Sequence, residues 1–271
     1  MRLEKQGSLF ATFSLGELKV TALSDGYADM RNTTLKGRDG ALAPPAFLSQ
    51  AGLTGDSLRL DVNAFLVQAP DGNLLIDTGS SNAWRETAGK LCDAFNEAGI
   101  SRNAVKAIAI THTHVDHING LVMPDGGLAF PAAEAVYVPE NELQLFAAES
   151  RLASVASLVR LLKGGDMIGQ YISAEAAYGH EIGHTAFLVQ SGADRLLVWG
   201  DIVHAPSVQF AHPEITWEFD ADQDAARSMR LSVLERTARK QLPVAGAHLA
   251  FPGIGHVKSM GEAYAFVPLL S

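Results

Sequence analysis

Three histidines and an aspartate fall within six residues in Thr111-His112-Thr113-His114-Val115-Asp116-His117. In an extended segment alternate side chains share a side, so His112, His114 and Asp116 point one way, and His117 needs only a local turn to join or adjoin them. Neutral imidazole and carboxylate are the donors that a borderline divalent ion such as zinc prefers. Four such residues at this spacing point to a metal site rather than to a polar surface loop.

A site for two ions needs more than four donors, and the chain holds only nine histidines. Gly179-His180-Glu181-Ile182-Gly183-His184 offers two of them, with glycines that let the backbone turn sharply. Gly200-Asp201-Ile202-Val203-His204 follows the apolar run Leu196-Leu197-Val198-Trp199, and Ala245-Gly246-Ala247-His248 follows a long helical pattern. Leu75-Ile76-Asp77-Thr78-Gly79 adds an acid at another strand end. Alone, each is ordinary: a histidine in a glycine-rich loop is usually structural, and an aspartate at a strand end usually caps a turn or helix. Their joint order along the chain is the informative feature.

The elements that must position these residues are short. Val105–Ile110 reads as a buried strand that ends where the histidines begin. Upstream, Leu9–Phe13 and Leu18–Leu23 form a hairpin about Ser14-Leu15-Gly16-Glu17. Val62–Ala69 and Asn73–Ile76 form another about Pro70-Asp71-Gly72, where proline fixes φ and glycine supplies a positive one. Residues 25–60 read as an irregular loop with a short helix near Ala46–Gln50. Helices are expected over Asn82–Ala98, from Pro139 to about Leu162 after a strand at Ala135–Val138, and over Asp220–Gln241. The last has an acidic start and Arg236, Arg239 and Lys240 near its end, matching the helix dipole. Thr185–Gln190 and Arg195–Trp199 make a further hairpin. Strands then helices, twice over, suggest two α/β halves packed sheet against sheet.

Composition narrows the functional classes. Apolar residues make up 47% of the 271 residues, enough for a sizeable core, and 19% are charged, which argues against disorder. The net charge of −9, with no basic cluster, argues against a nucleic-acid partner. A single cysteine, Cys92, excludes an intrachain disulfide and reads as a small buried hydrophobe. The first residues lack the apolar core of a signal peptide, and no segment is long and apolar enough to span a membrane, so a cytoplasmic protein without a membrane partner is expected. No linker divides the chain, and residues 1–271 are expected to form one domain with an insertion at 25–60.

The His-x-His-x-Asp-His motif and the order of the other donors, over roughly residues 18–256, resemble the metallo-β-lactamase superfamily. The resemblance implies an α/β fold in four layers, αββα, with two packed mixed sheets and helices outside. It implies His112, His114 and His180 on one ion and Asp116, His117 and His248 on the other, with Asp201 between them. His184 would then be structural, and Asp77 would hold a ligand histidine in place. Glu181 stands where the superfamily usually has threonine. Val20-Thr21-Ala22-Leu23-Ser24-Asp25-Gly26, Gly200-Asp201-Ile202-Val203-His204 and Gly246-Ala247-His248-Leu249-Ala250-Phe251-Pro252-Gly253-Ile254-Gly255-His256 are similar to the methyl parathion hydrolase branch, whose relatives also open aryl lactones. That branch implies a homodimer, and it leaves His256 as the rival to His248; the start of the His-x-x-Phe-Pro-Gly element favours His248.

The chemistry implied is hydrolysis. Two divalent ions, zinc or else manganese, iron or cobalt, sharing a bridging oxygen would supply hydroxide near neutral pH to attack a carbonyl carbon or a phosphoryl phosphorus. Asp116 is placed to orient or receive the proton of that nucleophile. Trp84, Phe210, Trp217 and Phe251 flank or follow the ligand loops and are candidate pocket residues. The substrate expected is a small lactone or ester, with organophosphate triesters as the alternative. A second alternative is an iron-dependent persulfide dioxygenase, whose single-ion site the full donor set disfavours.

Overall fold

In the computed structural model, which describes residues 1–53 and 55–270, two mixed sheets lie face to face. The first has eight strands in the spatial order Arg2–Gln6, Phe10–Leu15, Leu18–Arg31, Ser57–Ala69, Gly72–Ile76, Val105–Ala109, Ala135–Pro139 and Val159–Leu162. Its last four strands run parallel, and the others pair antiparallel. The second has seven: Met167–Ile168, Ile172–Ala176, Thr185–Ser191, Asp194–Val198, Val244–Ala245, Ile254–Met260 and Ala263–Pro268. Only Asp194–Val198 and Val244–Ala245 are parallel there.

Alternation along the strands explains the stacking. Phe13, Val20, Phe65, Val67 and Ile76 of the first sheet share a buried cluster with Ile172, Phe187, Val189, Val198 and Ile254 of the second. The opposite faces take the helices. Leu91, Ala94, Phe95 and Ala98 bury one side of the helix Leu91–Ala98 against Leu66, Leu75 and Ile108. Val233 and Leu234 of the helix Gln223–Lys240 pack on Leu197, Trp199 and Val244. The order is helix, sheet, sheet, helix, the expected αββα sandwich. No helix among the described residues is long and apolar enough to cross a membrane.

Several elements differ from expectation, each for a local reason. Residues 25–31 and 57–60 continue the long hairpin of Leu18–Arg31 and Ser57–Ala69, so of the described residues the irregular stretch shrinks to 32–53 and 55–56, with a short strand at Leu35–Lys36 and a helix at Pro45–Gln50. A bulge between Ser24 and Gly26 breaks the alternation that would have revealed the strand. The expected helix over Asn82–Ala98 begins only at Leu91. Before it, the buried Asp25 carboxylate accepts hydrogen bonds from Ser80 N–H, Gly89 N–H and Leu91 N–H, and Gly89 takes φ 81°. The chain there is tied to a side chain instead of to itself. The helical run after Pro139 ends early, because Val159–Leu162 pairs with Ala135–Pro139 as the sheet edge. The glycine-rich tail after Pro252 is a hairpin, Ile254–Met260 with Ala263–Pro268.

Candidate metal centre

Strand ends deliver the donors to one place. Gly72–Ile76, Val105–Ala109, Asp194–Val198 and Val244–Ala245 all stop at the same end of the sandwich, and Asp77, His112, Asp201 and His248 follow them within a few residues. Open α/β sheets bind ligands at the carboxyl ends of their parallel strands because the backbone releases its side chains there. The turn Val115–Ile118 then swings His117 inward, as its N–H reaches back to His114 O at 3.0 Å.

The seven expected donors converge. One nitrogen each of His112, His114 and His180 and one oxygen of Asp201 lie within 4.8 Å of one another, and so do the donor atoms of Asp116, His117 and His248. Asp201 faces both groups: Oδ1 lies 3.3 Å from His117 Nε2, and Oδ2 lies 3.0 Å from His248 Nε2 and 3.4 Å from His180 Nε2. His180 Nε2 and His112 Nε2 approach to 3.2 Å, a distance at which two lone pairs need something positive between them.

Each histidine is aimed by its other nitrogen. Nδ1 of His117 donates to Asp77 Oδ2 at 2.9 Å, that of His180 to Asp220 Oδ1 at 2.8 Å, and that of His248 to the carbonyl of Asp61 at 2.8 Å. His112 Nδ1 lies 3.1 Å from Thr111 Oγ1, which is itself held by the Asp77 carboxylate. His114 is turned the other way, its Nε2 donating to Glu181 Oε1 at 2.9 Å. A ring nitrogen that donates outward leaves its partner nitrogen unprotonated and facing the centre. His117 Nε2 and Asp201 Oδ1 are buried there without a hydrogen-bond partner. Buried donor atoms of this type, left unpaired and converging, fit one or two divalent ions.

Electrostatics follow the same division. Burial holds His112 and His180 well below the ordinary imidazole range. Burial opposes protonation of His117 and His248 too, but the carboxylates of Asp201 and Asp116 outweigh it and raise both. Asp201 is driven up by burial and further down by His248, His117 and His112, so it stays ionised. The centre without an ion is therefore a competition between protons and cations for the same lone pairs.

The loops are locked from behind. Gly200 has φ 58°, and a Cβ there would sit 2.6 Å from His184 Nε2. That contact lets His184 Nε2 accept from Asp201 N–H at 3.0 Å while its Nδ1 donates to Ala177 O, the structural role expected of it. Asn63 Nδ2 reaches the carbonyls of Ala247 at 3.0 Å and Leu249 at 2.7 Å, clamping the His248 turn. His256 is elsewhere, on the C-terminal hairpin opposite Val267.

Four participants were not legible as such. Asn63, Asp220 and Arg230 act through other residues. His204 belongs to the centre itself: it is buried, stacks on Trp217 with planes 2° apart, and places Nε2 3.2 Å from Asp201 Oδ2. Its spacing, three residues after Asp201, was the available signal. Of the four candidate aromatics, Trp84 and Trp217 line the cavity of about 320 Å³ above the donors, together with Met30, Leu60 and Phe219. Phe210 packs between Trp199 and Phe266, and Phe251 joins the intersheet cluster, so neither reaches the cavity.

The sequence profile of the Metallo-beta-lactamase superfamily matches residues 58–248. The chain belongs to that superfamily. Its clustered histidines and aspartates are able to hold metal. A linear primary-alkylsulfatase from a Pseudomonas species is 27% identical over 161 residues, which are 59% of this chain and 26% of that enzyme; the chain spans about a quarter of that relative's length. Among solved structures, the hydrolase AbOPH of the beta lactamase superfamily superposes with a TM-score of 0.89 at 27% identity, covering 98% of this chain and 99% of that one. AidC, a dizinc quorum-quenching lactonase in complex with a product, superposes with a TM-score of 0.84 at 24% identity, covering 96% and 97%, a likeness of fold.

Proposed function

We propose that this protein opens a neutral lactone or cleaves a neutral carboxylic ester at a centre of two divalent ions. His112, His114 and His180 would hold one ion and Asp116, His117 and His248 the other, with Asp201 shared. The observation that carries this reading is the aiming of five histidines, each pinned by an outward hydrogen bond so that its free nitrogen faces the centre that Asp201 shares. Divalent ions so held acidify water and polarise an ester carbonyl. The chain's own residues do the rest. Asp116 Oδ2, 3.6 Å from His117 Nε2 and from His248 Nε2, takes up or orients the nucleophile's proton. Trp84, Trp217 and Phe219 seat the apolar part of the substrate and exclude water.

Charge separates the substrate classes. None of the described residues lining this cavity is a lysine or arginine. A sulfate monoester, the substrate class named for the Pseudomonas relative, keeps an anion that no cationic side chain of this cavity would meet, leaving only the ions themselves to pair it. A lactone, a carboxylic ester or a phosphotriester carries no charge and fits. Zinc is the ion we assign, with manganese, iron or cobalt able to use the same donors. The elements at Val20–Gly26 and Gly246–His256 support placing the chain in the methyl parathion hydrolase branch, and AidC is a lactonase on the same fold.

The test is metal analysis of purified protein followed by turnover of an aryl lactone, acyl-homoserine lactones, an aryl ester and methyl parathion. Two ions per chain and the highest kcat/KM on a lactone are expected. Removal of the ions by a chelator abolishes turnover and lowers the melting temperature, since ions bound only by the folded chain stabilise it. One ion per chain under metal-replete conditions overturns the dinuclear reading, and preference for methyl parathion replaces the lactonase reading with the phosphotriesterase one.

A further inference from the structure

Beside the metal cavity lies a second and larger one, of about 420 Å³, and Trp84 lines both. Its wall is formed by Trp84, Leu91, Cys92, Val122, Met123 and Pro124. Of the polar residues that also line it, Asp25, Ser81 and Asn82 are engaged, while Arg85 and Glu86 are exposed to solvent. The Asp25 carboxylate accepts from Ser80 N–H, Ser80 Oγ, Gly89 N–H and Leu91 N–H. Ser81 Oγ and Asn82 Oδ1 both accept from the Arg151 guanidinium, at 3.1 and 2.7 Å. Even the Cys92 thiol is turned to the Met123 sulfur, 3.9 Å away. Against the apolar part of this wall an alkyl chain gains about 0.8 kcal/mol per buried methylene.

We propose that this second cavity receives a flexible alkyl tail of the substrate, which passes Trp84 while the scissile carbonyl stays at the metal centre. The proposal rests on the reading of the centre as an ester- or lactone-cleaving site. The division of labour follows from size and lining. The metal cavity, at about 320 Å³, is shared by the donor residues and a few aromatics and has room for a ring or a short ester. The wall of its neighbour is largely apolar, and Trp84 is the residue that the two cavities share. Trp84 is half-buried and flanked by the exposed Arg85, whose guanidinium lies 5.7 Å from the indole ring, so the ring is not locked into the core. Asp25 holds the floor of the cavity rigid from beneath, since it ties residues 80, 89 and 91 together.

Cys92 provides a reporter independent of turnover, because it is the only cysteine of the chain and lines this cavity. The metal-loaded protein is treated with N-ethylmaleimide with and without 1-decanol, which has a tail but no bond to hydrolyse. Several-fold slower labelling in decanol is expected, with no such effect of ethanol at the same concentration. In parallel, Cys92→Phe fills the cavity. It should raise KM for N-decanoyl-homoserine lactone about tenfold while leaving N-butanoyl-homoserine lactone unchanged. Labelling that decanol does not slow, or an equal effect of Cys92→Phe on both chain lengths, overturns the tail site. Decanol protection in a protein that turns over neither lactone would leave the tail site standing and overturn the lactonase reading instead.

Discussion

Asp220 Oδ1 accepts a hydrogen bond from His180 Nδ1 at 2.8 Å, while Arg230 stands 3.8 Å from the other oxygen of the same carboxylate. Arg230 lies on the long helix of the second sheet and is 1% exposed. Its guanidinium also donates to the carbonyls of Ile202 and Ile215, at 2.7 and 2.6 Å. Burial lowers it to about 10, still above neutrality, so it stays charged. One buried ion pair thus fixes the tautomer of a metal-facing histidine and ties down the loop that carries Asp201 and His204. Such a pair adds little net stability over an apolar one but is costly to break on one side.

Asp220→Asn tests that arrangement. Metal affinity should fall about 10–100-fold, the usual effect of losing the group that orients a ligand histidine. A pH effect should accompany it. Burial pushes the Asp220 carboxyl up, but the His180 hydrogen bond, His204, His180 itself and Arg230 bring it below its ordinary 3.8. A depressed acid stabilises the fold above its unfolded value and loses that contribution as pH falls through its folded value. In chelated protein, the urea-unfolding difference between wild type and Asp220→Asn should therefore be full near pH 7 and close below about pH 4. A difference that stays constant with pH would show that shape, not charge, is what Asn fails to replace.

The contrast between His180 and Asp220 also shows what was legible in the sequence. His180 announced itself through Gly179 and its place before a strand, and the seven converging residues could be named from their loops beside apolar runs and their order along the chain. Asp220 carried no such mark. It opens a helical pattern, where an acid is the ordinary residue, and only the tertiary fold brings it to His180 across forty positions. Asn63 was hidden in the same way, within the otherwise apolar run Val62–Val67 of its strand. Among the elements, those with unbroken periodicity, such as Val105–Ala109 and Thr185–Ser191, stood out. The stretch 82–90 resembled a helix because its composition allows one, yet Asp25, more than fifty residues earlier, captures the N–H of Gly89 and those of Ser80 and Leu91 on either side of the stretch. Local pattern reports what a segment can do alone, and these segments are decided by partners distant in sequence.

Glu181 departs from the superfamily's usual threonine, and the structure gives it a task. Its carboxylate holds His114 Nε2 at 2.9 Å and, with Asp116 and Asp201, raises that imidazole against the effect of burial. Glu181→Ala should weaken metal binding about tenfold, whereas Glu181→Gln, which keeps an acceptor oxygen, should weaken it less. Competition with a chromophoric chelator measures both. Equal losses would mean that the carboxylate charge, rather than the aim of the ring, sets the affinity.

His248→Ala should remove metal and turnover far more than His256→Ala. His248 Nε2 lies 3.0 Å from Asp201 and its other nitrogen is held by Asp61 O, which aims it at the centre. His256 pairs with Val267 in the C-terminal hairpin and lines a separate surface hollow with Lys240 and Gln241. Metal content per chain after dialysis decides between them, and a larger loss at His256 would reassign the ligand.

Asp116→Asn separates binding from chemistry most directly. The substitution keeps the side-chain shape but removes a charge 3.6 Å from both His117 Nε2 and His248 Nε2. Two effects are superposed: one donor set loses its anion, and the nucleophile loses its proton acceptor. The rate on a good lactone should fall at least about a hundredfold, the scale of a lost proton-handling group. Metal content must therefore be read on the same samples. If one ion is lost, the experiment is repeated at saturating metal, where full occupancy with the rate still depressed assigns the deficit to proton handling. Recovery of the rate with occupancy assigns it to metal binding alone. A variant that keeps both ions and nearly full activity on lactone and ester would reduce Asp116 to a structural residue. Selective loss on methyl parathion would instead mark the phosphotriester as the substrate whose chemistry Asp116 serves.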